Sequence, residues 1–368
     1  MMNDKFTYTD PATGYVITQY TKGDIRNAKL YFTTENFAKD DQSFFFRRYL
    51  SNLSDHSMAD SDLYRCDVAS GEYYKVLDSR YKGFAMSREG NYGVVSDASR
   101  IYRLDLDDEK LTEIGAFPEV EKGASKIGGK VTGHLTVSKS GLVVYSYWQL
   151  NKIFALVVLD PRTGKSEIVH RSDYHLGHTQ VCPGDDNTIF YIHETGGDAL
   201  QRTWMFDIAH GTTRPYYVEQ EDEWITHEVW TADGESMLFM KYPHFIMKGS
   251  KDGHSFSAIT ETDKQFLHPG ISRDQRFVCT DRVVFTRENE QGYAPGVWLI
   301  DPVTGAQHEL ARTGYCKTGE DHPHPSFNRA GNLLYFSKPD VETGVAQVAM
   351  IDLTQVDLYR AKAEETKA

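Results

Sequence analysis

Cysteine is scarce in this sequence of 368 residues, which contains only Cys66, Cys182, Cys279 and Cys316. No two of them have the CxxC spacing of a zinc or redox motif, so we expect reduced thiols in a cytoplasmic protein. Long apolar runs are missing as well, and no stretch of about 18 residues is apolar enough to span a membrane. Residues 1–10 also lack the apolar stretch of a secretory signal.

Positive charge is outnumbered, with 40 Lys and Arg against 53 Asp and Glu and a net charge of −13 at pH 7. Binding to nucleic acid phosphates requires a basic surface, so the composition argues against a nucleic-acid partner. The phosphate-binding P-loop and the dinucleotide-binding Rossmann fingerprint are absent too. A site for an anionic ligand must therefore be built locally from a few cations.

Amphipathic helices are also lacking, except for a candidate in the tail after Leu358, whereas 22 tyrosines and 19 phenylalanines favour strands. One pattern, an apolar residue followed by a small polar turn and a strand, recurs seven times along the chain. Each copy predicts a hairpin, and a second hairpin usually follows it. The seven copies begin at Phe37, Phe84, Leu135, Val181, Val229, Ile271 and Ser326.

Two hairpins per repeat give four strands with a period of about 40–55 residues, which is typical of propeller blades. We therefore predict an all-β chain that forms a seven-bladed β-propeller with four antiparallel strands in each blade. The N-terminal segment FTYTDPATGYVITQY is expected to supply the strand that closes the ring. The propeller should occupy residues 1–360 as a single domain, with a polar C-terminal tail over residues 361–368.

Aligning the seven copies on their turn residues reveals a concentration of histidine. Seven residues before the turn, on the first strand of the blade, five of the seven blades carry histidine, although the chain has only 14. The first strand of each propeller blade lines the central channel, so we expect these side chains to converge on one mouth. They are His134, His178, His227, His268 and His324, and His322 lies on the same strand face as His324.

A second position, seven residues after the turn, is rich in cations. The second strand of a blade runs antiparallel to the first, so this position should lie beside the histidines. The fourth blade carries His193 there, and four other blades carry Arg48, Lys241, Arg282 and Lys338. These four cations predict a positive collar that binds an anionic ligand together with His134, His178 and His268.

A single histidine is more often structural than functional, and these five could simply hydrogen-bond one blade to the next. As a set, however, imidazoles suit Mn, Fe, Ni or Zn. In the segment DHPHPSF, two histidines at i and i+2 on a strand can ligate one ion together. We therefore expect His322 and His324 to hold a divalent metal, with His227 arriving from a distant blade.

Several segments resemble the oligogalacturonate lyase family over roughly residues 7–355: THEVW, HPHPSF, the HE of IHETGG, LGH before the GDDNT turn, and YKGFAMS. The resemblance implies a cytoplasmic, seven-bladed, pectin-degrading enzyme that binds a manganese-like ion through three histidines and a glutamine. The three histidines match His227, His322 and His324. The glutamine position falls on Gly319, where Glu320 or Asp321, water or substrate could fill the fourth site.

The resemblance further implies β-elimination on a short uronic acid oligomer, with His193 matching the histidine that abstracts the proton. Arg202 is the best match to the family arginine and, with the collar, would hold the carboxylates of a small acidic oligosaccharide. Mn²⁺ is the expected cofactor. Two alternatives stay open: a non-catalytic propeller that binds or senses a ligand, and a lyase or hydrolase for a different uronate. The sequence does not determine the oligomeric state or the preferred chain length.

Overall fold

The computed structural model describes residues 1–50, 60–118, 130–131, 135–149, 153–195, 199–283, 295–316 and 322–365. Nearly all regular structure in these ranges is β-strand. In the first half of the chain the strands are β1 (Met2–Asn3), β2 (Phe6–Thr9), β3 (Val16–Gln19), β4 (Asn27–Lys29), β5 (Ser43–Tyr49), β6 (Ser61–Asp67), β7 (Glu72–Leu77), β8 (Lys82–Met86), β9 (Tyr92–Ser96), β10 (Arg100–Asp105), β11 (Leu111–Ala116), β12 (Lys130–Val131), β13 (Thr136–Val137), β14 (Val143–Gln149), β15 (Ile153–Asp160) and β16 (Lys165–Ser172).

The second half continues the same pattern of short strands and ends in a helix. Its strands are β17 (Leu176–Val181), β18 (Thr188–His193), β19 (Thr203–Asp207), β20 (Thr212–Pro215), β21 (Trp224–Trp230), β22 (Ser236–Tyr242), β23 (Phe245–Ser250), β24 (Phe256–Glu261), β25 (Gly270–Ile271), β26 (Val278–Arg282), β27 (Gly296–Ile300), β28 (Gln307–Arg312), β29 (Ser326–Phe327), β30 (Leu333–Pro339) and β31 (Ala346–Asp352). A 3₁₀ turn, Leu353–Gln355, and the helix α1, Asp357–Glu365, follow.

These strands form seven antiparallel sheets, which are the seven blades of a propeller. The first blade contains β4 to β7 with β1 at its outer edge, and the second contains β8 to β11. The third contains β12 to β16, and the fourth, fifth and sixth contain β17–β20, β21–β24 and β25–β28. The predicted seven-bladed architecture is confirmed.

The seventh blade is built from both ends of the chain. Its inner strands are β29, β30 and β31, and its outer strands are β3 and β2 from the N-terminus. β3 pairs with β31 through Ile17 opposite Ile351 and Gln19 opposite Ala349. The predicted closure of the ring by the N-terminal segment is confirmed, and this segment supplies two strands rather than one.

Apolar side chains on both faces of each sheet hold neighbouring blades together. Between the first two blades, for example, Phe45 and Leu63 pack in one cluster with Phe84, Val95 and Leu104, and each of them is buried. Such a sheet cannot leave either face in water, so it stacks against a blade on each side. All four cysteines are buried free thiols.

The inner strands of the second to seventh blades and residues 32–35 of the first blade line a central channel with a cavity of about 220 Å³. The hairpin turns of the blades form one end of this channel. There the carboxylate of Glu35, from the first blade, accepts hydrogen bonds from the guanidinium groups of two other blades. Arg273 of the sixth blade lies 2.8 Å from Glu35 Oε2, and Arg329 of the seventh blade lies 3.2 Å from it. Ion pairs therefore link the blades across this end, and the histidines lie toward the other.

The helix α1 runs from Asp357 to Glu365 and therefore crosses the predicted boundary between the propeller and the polar tail, after residue 360. The division of the chain at this boundary stays a prediction. Its Tyr359 stacks on Phe277 of the sixth blade, with ring centroids 5.1 Å apart. Across the described part of the chain, helices are too short and too polar to cross a lipid bilayer.

Candidate active site and metal centre

The central histidines are positioned by a bulge that recurs on the inner strands. Pairing between the first and second strands shifts register at this position in the second, fourth and fifth blades. The residue at the bulge has a left-handed backbone, with φ of 44° at His178 and 56° at His227. His324, at the aligned position of the seventh blade, is also left-handed, with φ of 46°. Gly83, with φ of 63°, occupies the same position in the second blade. Residues other than glycine rarely adopt this conformation, and such strain concentrates at functional sites.

Three imidazoles from the sixth and seventh blades form a group that could hold a metal ion. One nitrogen each of His268, His322 and His324 lie within 4.8 Å of one another. Nε2 of His268 is 3.2 Å from Nε2 of His324. Two nitrogens bound at right angles to one ion, each about 2.1 Å away, would lie about 3 Å apart, so this pair fits a shared divalent cation.

This group shares two residues with the predicted ligand set of His227, His322 and His324. His268, which was predicted to bind substrate, replaces His227 in the geometric group. His227 lies beside the group, with its ring centroid 4.3 Å from that of His268. The register of the repeats places these histidines at the same level along the channel axis. It does not give the distances between blades, which decide which three imidazoles lie closest to one another.

Asp281, near the end of β26, binds both the backbone and the imidazole ring of His268. Its Oδ1 lies 2.8 Å from Nδ1 of His268 and accepts the backbone N–H of His268 at 3.0 Å, and its Oδ2 accepts the backbone N–H of His324 at 2.9 Å. Burial raises the pKa of Asp281 to about 6.

The three histidines His227, His268 and His324 are kept neutral by their surroundings. Burial lowers the pKa of each imidazole well below its usual value, and neighbouring imidazoles lower it further. For His227 the Arg202 guanidinium contributes in the same direction. Neutral imidazoles can bind a metal or accept a proton.

A second network of carboxylates and cations lies next to this group. Nδ1 of His178 is 2.9 Å from Oε2 of Glu228, which is fully buried, and Nε2 of His178 is 3.9 Å from Oε2 of Glu194. Arg202 donates to Oε1 of Glu194 at 3.3 Å. The rings of His178 and His227 are 6.2 Å apart, so this network adjoins the imidazole group.

Three buried polar atoms in this region have no hydrogen-bond partner within the described part of the chain. They are Nε of Arg202, Nδ1 of His227 and Oε1 of Glu228. Unpaired buried polar atoms are costly in a native protein, so such a cluster indicates a place where a polar ligand binds. The site thus offers a cationic donor, a carboxylate acceptor and a neutral imidazole within one region.

The first blade, which carries Thr34 instead of histidine at the aligned position, contributes two aromatic rings. The ring centroid of Tyr31 is 5.2 Å from that of His324 and 6.2 Å from that of His178. Phe32 lies 5.1 Å from His268, and it also lines the channel cavity. Phe32 therefore separates the imidazole group from the rest of the channel.

His193, predicted to be the proton-abstracting residue, lies at the end of β18 beside the same network. Its ring packs against Tyr174 with centroids 4.1 Å apart, and its backbone N–H donates to the carbonyl of Arg202. Glu194, the next residue, contacts Arg202 and His178. The catalytic role of His193 stays a prediction.

Each of the four cations of the predicted collar has local surroundings of its own, and their joint binding of an anionic ligand stays a prediction. Arg48 donates to the Tyr73 hydroxyl at 3.4 Å, and Nζ of Lys338 donates to Oε1 of Gln19 at 2.8 Å. Both partners belong to outer strands, because side chains of a second strand point to the faces of the blade and not to the axis. The remaining two also have local surroundings: Lys241 pairs with Glu223, and Arg282 is buried.

Four of the residues singled out in the sequence lie outside the described ranges. They are His134, Gly319, Glu320 and Asp321. The contributions of His134 to substrate binding and of the segment around Gly319 to a fourth metal ligand therefore stay predictions.

Four side chains of the site were missed or left without a role in the sequence analysis: Asp281, Glu228, Tyr31 and Phe32. A signal existed for the first two, because Glu228 directly follows His227 and Asp281 directly precedes the predicted Arg282. The two aromatic residues had no such signal, since their blade lacks a histidine at the aligned position.

Comparison with known families and proteins finds similar sequences over most of the chain. A family model described as oligogalacturonate lyase matches residues 2–269. Among characterised relatives, the chain is 23% identical to an oligogalacturonide lyase of Pectobacterium atrosepticum, with 90% of this chain and 92% of the relative covered. An oligogalacturonate lyase of Dickeya dadantii is also 23% identical, with the same coverage of both chains.

Two solved structures share the fold along nearly the whole chain. One is an oligogalacturonate lyase in complex with manganese, which is 19% identical, covers 96% of both chains and has a TM-score of 0.81. The other is an oligogalacturonate lyase from Vibrio parahaemolyticus, which is 18% identical, covers 96% of this chain and 97% of that one, and has a TM-score of 0.81. At this level of identity the likeness demonstrates a common propeller fold.

Glu219 binds the backbone of Arg202, and its raised pKa predicts that the free energy of unfolding of the protein depends on pH. Its carboxylate accepts the backbone N–H of Arg202 at 2.6 Å and that of Thr203 at 3.1 Å, yet burial raises its pKa to about 7. Between the ordinary pKa and this value, the folded chain binds a proton that the unfolded chain has released. The contribution of Glu219 to the free energy of unfolding is therefore fully present below the ordinary pKa of a glutamate, and it is lost as the pH rises through about 7.

Replacing Glu219 by Gln removes that proton equilibrium and keeps an acceptor oxygen. Relative to wild type, we expect Glu219→Gln to be more stable at about pH 8 than at about pH 5, as measured by urea unfolding. Glu221→Gln, which alters an exposed carboxylate two residues away, is the matched control and should show no such difference. A pH-independent effect of Glu219→Gln would contradict the raised pKa.

Proposed function

Since the chain belongs to the oligogalacturonate lyase family, we propose that it is a metal-dependent lyase that cleaves short oligogalacturonates by β-elimination to unsaturated products. The observation that supports this most directly is the group of three imidazoles of His268, His322 and His324 beside a buried arginine, a buried glutamate and a further imidazole with an unpaired nitrogen. A propeller that only bound a partner protein would have no need for such a centre.

For the cofactor we propose a divalent ion, Mn²⁺ in the first place, held by His268, His322 and His324. The donor set fits, because imidazole nitrogens are common ligands of Mn, Fe, Ni and Zn. The manganese named in the solved structure of a family member agrees with this choice. When bound, the ion would neutralise the uronate carboxylate and so make the neighbouring C5 proton easier to remove.

We propose that His227 removes the C5 proton of the uronate. Its imidazole is neutral, lies 4.3 Å from His268 between ring centroids, and has a nitrogen that no described group binds. A neutral imidazole is a suitable base near neutral pH. The electron pair of the C5–H bond then forms the double bond between C4 and C5. The C4–O4 bond breaks with its electron pair moving to O4, which takes a proton from water as the leaving sugar departs.

Arg202 would hold the substrate in this arrangement. Its guanidinium is almost completely buried, at 4% exposure, and donates to Glu194 while its Nε has no described acceptor. A guanidinium with an unused donor is suited to a carboxylate of the acidic oligosaccharide. Glu228, with one unpaired oxygen, would accept a sugar hydroxyl.

The role of the enzyme in the cell follows from its substrate class. Short oligogalacturonates come from the breakdown of pectin, and we propose that the protein completes this degradation inside the cytoplasm. The four buried free thiols agree with a reducing compartment.

The reaction is tested by following the ultraviolet absorbance of purified protein with Mn²⁺ and digalacturonate or trigalacturonate. Elimination creates a conjugated double bond, so we expect absorbance to rise and the rise to stop when a chelator is added. Hydrolysis of the same substrates would release reducing sugar without this absorbance. Bound metal with neither product would favour a binding or sensing protein.

The choice of base is tested by two matched alanine variants, His227→Ala and His193→Ala. If His227 removes the proton, the first variant should lose about 10²- to 10⁴-fold in kcat and retain bound Mn²⁺. His193→Ala should keep kcat within about one order of magnitude, since its ring packs on Tyr174. The reverse ranking would assign the base to His193, as first predicted.

A further inference from the structure

We propose that Asp281 is a positioning residue for the metal centre, which holds the proton of His268 on Nδ1 and so leaves Nε2 bare for the ion. This inference rests on the proposed function, in which His268 and His324 are ligands. Asp281 itself touches neither metal nor substrate in this account, and acts only through the two histidines.

The contacts of Asp281 converge on two of the three ligands. Oδ1 and Oδ2 lie 2.8 and 2.9 Å from Nδ1 of His268. Oδ1 also accepts the backbone N–H of His268 at 3.0 Å, and Oδ2 accepts the backbone N–H of His324 at 2.9 Å. One side chain of the sixth blade therefore fixes a ring in its own blade and the backbone of a ligand in the seventh.

The direction of these hydrogen bonds follows from the chemistry of the groups. Each oxygen of Asp281 already accepts a backbone N–H, Oδ1 that of His268 and Oδ2 that of His324. The carboxylate therefore acts as an acceptor on both sides, and Nδ1 of His268 supplies the third hydrogen as a donor. In a neutral imidazole the other nitrogen then has the lone pair, and that nitrogen is the one 3.2 Å from Nε2 of His324. Asp281 is 0% exposed, so water does not compete for its oxygens. Such carboxylate–histidine pairs orient metal ligands and raise their basicity.

Replacement of Asp281 by Asn distinguishes this role from simple packing. The amide has nearly the same shape, but one of the two accepting oxygens becomes an NH₂ donor. That donor must face either the backbone N–H of His324 or the side of His268. If the NH₂ group faces His268, it favours the His268 tautomer that carries its proton on Nε2. A protonated Nε2 has no free lone pair and cannot bind the metal.

We therefore expect Asp281→Asn to weaken Mn²⁺ binding about 10- to 100-fold in titration calorimetry, with an unchanged far-ultraviolet circular dichroism spectrum. The matched control is Asp301→Asn in the same blade. Asp301 is also buried, at 5% exposure, and its Oδ1 accepts the backbone N–H of Val303 at 2.8 Å, but it lies in the turn after β27. Its substitution should leave Mn²⁺ affinity unchanged.

A measurement on the wild-type protein keeps the proposal testable if Asp281→Asn fails to fold. Two-bond ¹H–¹⁵N correlation spectra of the metal-free protein report which nitrogen of each imidazole carries the proton. The His268 signals are identified by their loss in His268→Gln. We expect the Nδ1–H form at neutral pH in wild type, and a proton on Nε2 would overturn the proposal.

The outcomes separate this inference from the proposed reaction. Loss of Mn²⁺ affinity in Asp281→Asn, with wild type forming no unsaturated product, would support the positioning role and contradict the lyase function. Equal Mn²⁺ affinity in wild type and Asp281→Asn would overturn the positioning role, even if wild type forms the product. Absence of any Mn²⁺ binding by wild type would overturn both.

Discussion

The pairing of β3 with β31 is the interaction on which the rest of the structure depends. Ile17 opposite Ile351 and Gln19 opposite Ala349 join the two ends of the chain in one sheet and close the ring. Closure removes the exposed strand edges that an open row of blades would leave. It also brings blades that are far apart in sequence around one axis, so that His178 and His324 both contact the ring of Tyr31.

Within that ring, the chemistry depends on a strained backbone at the inner strands. The left-handed conformations of His178, His227 and His324 each cost roughly 1–3 kcal/mol, and the packing between blades must offset them. At His227 and His324 this backbone places the imidazole among the other central rings, where burial lowers its pKa well below the usual value and keeps it neutral. A metal ligand and a proton acceptor both require that neutral form.

The sequence predicted the architecture well because its signals are local. Turn residues and alternating strands recur seven times, and the register of the turns was sufficient to find His178, His227, His268 and His324 at one height. Register does not give the direction of a side chain. Lys338 illustrates this, because it lies at the predicted height but contacts Gln19 of an outer strand.

The finer features of the site required distances between blades. The register could not separate His268 from His227 as a partner of His322 and His324, because both occupy the same position of adjacent blades. Asp281 and Glu228 bind histidines through contacts that span separate strands, and a sequence pattern does not contain such contacts. Tyr31 and Phe32 belong to the first blade, which has Thr34 at the position where five other blades have histidine, so the repeat pattern gave no reason to select them.

The central claim is that ring closure assembles a metal centre from His268, His322 and His324, with His227 free to act as a base. The most direct measurement is an anomalous difference map at the manganese edge from crystals of the protein grown with Mn²⁺. The account predicts one peak bound by a nitrogen of each of the three ligands, with His227 beside the peak but not bound to it. A peak ligated by His227 in place of His268, or no peak among these residues, would contradict it.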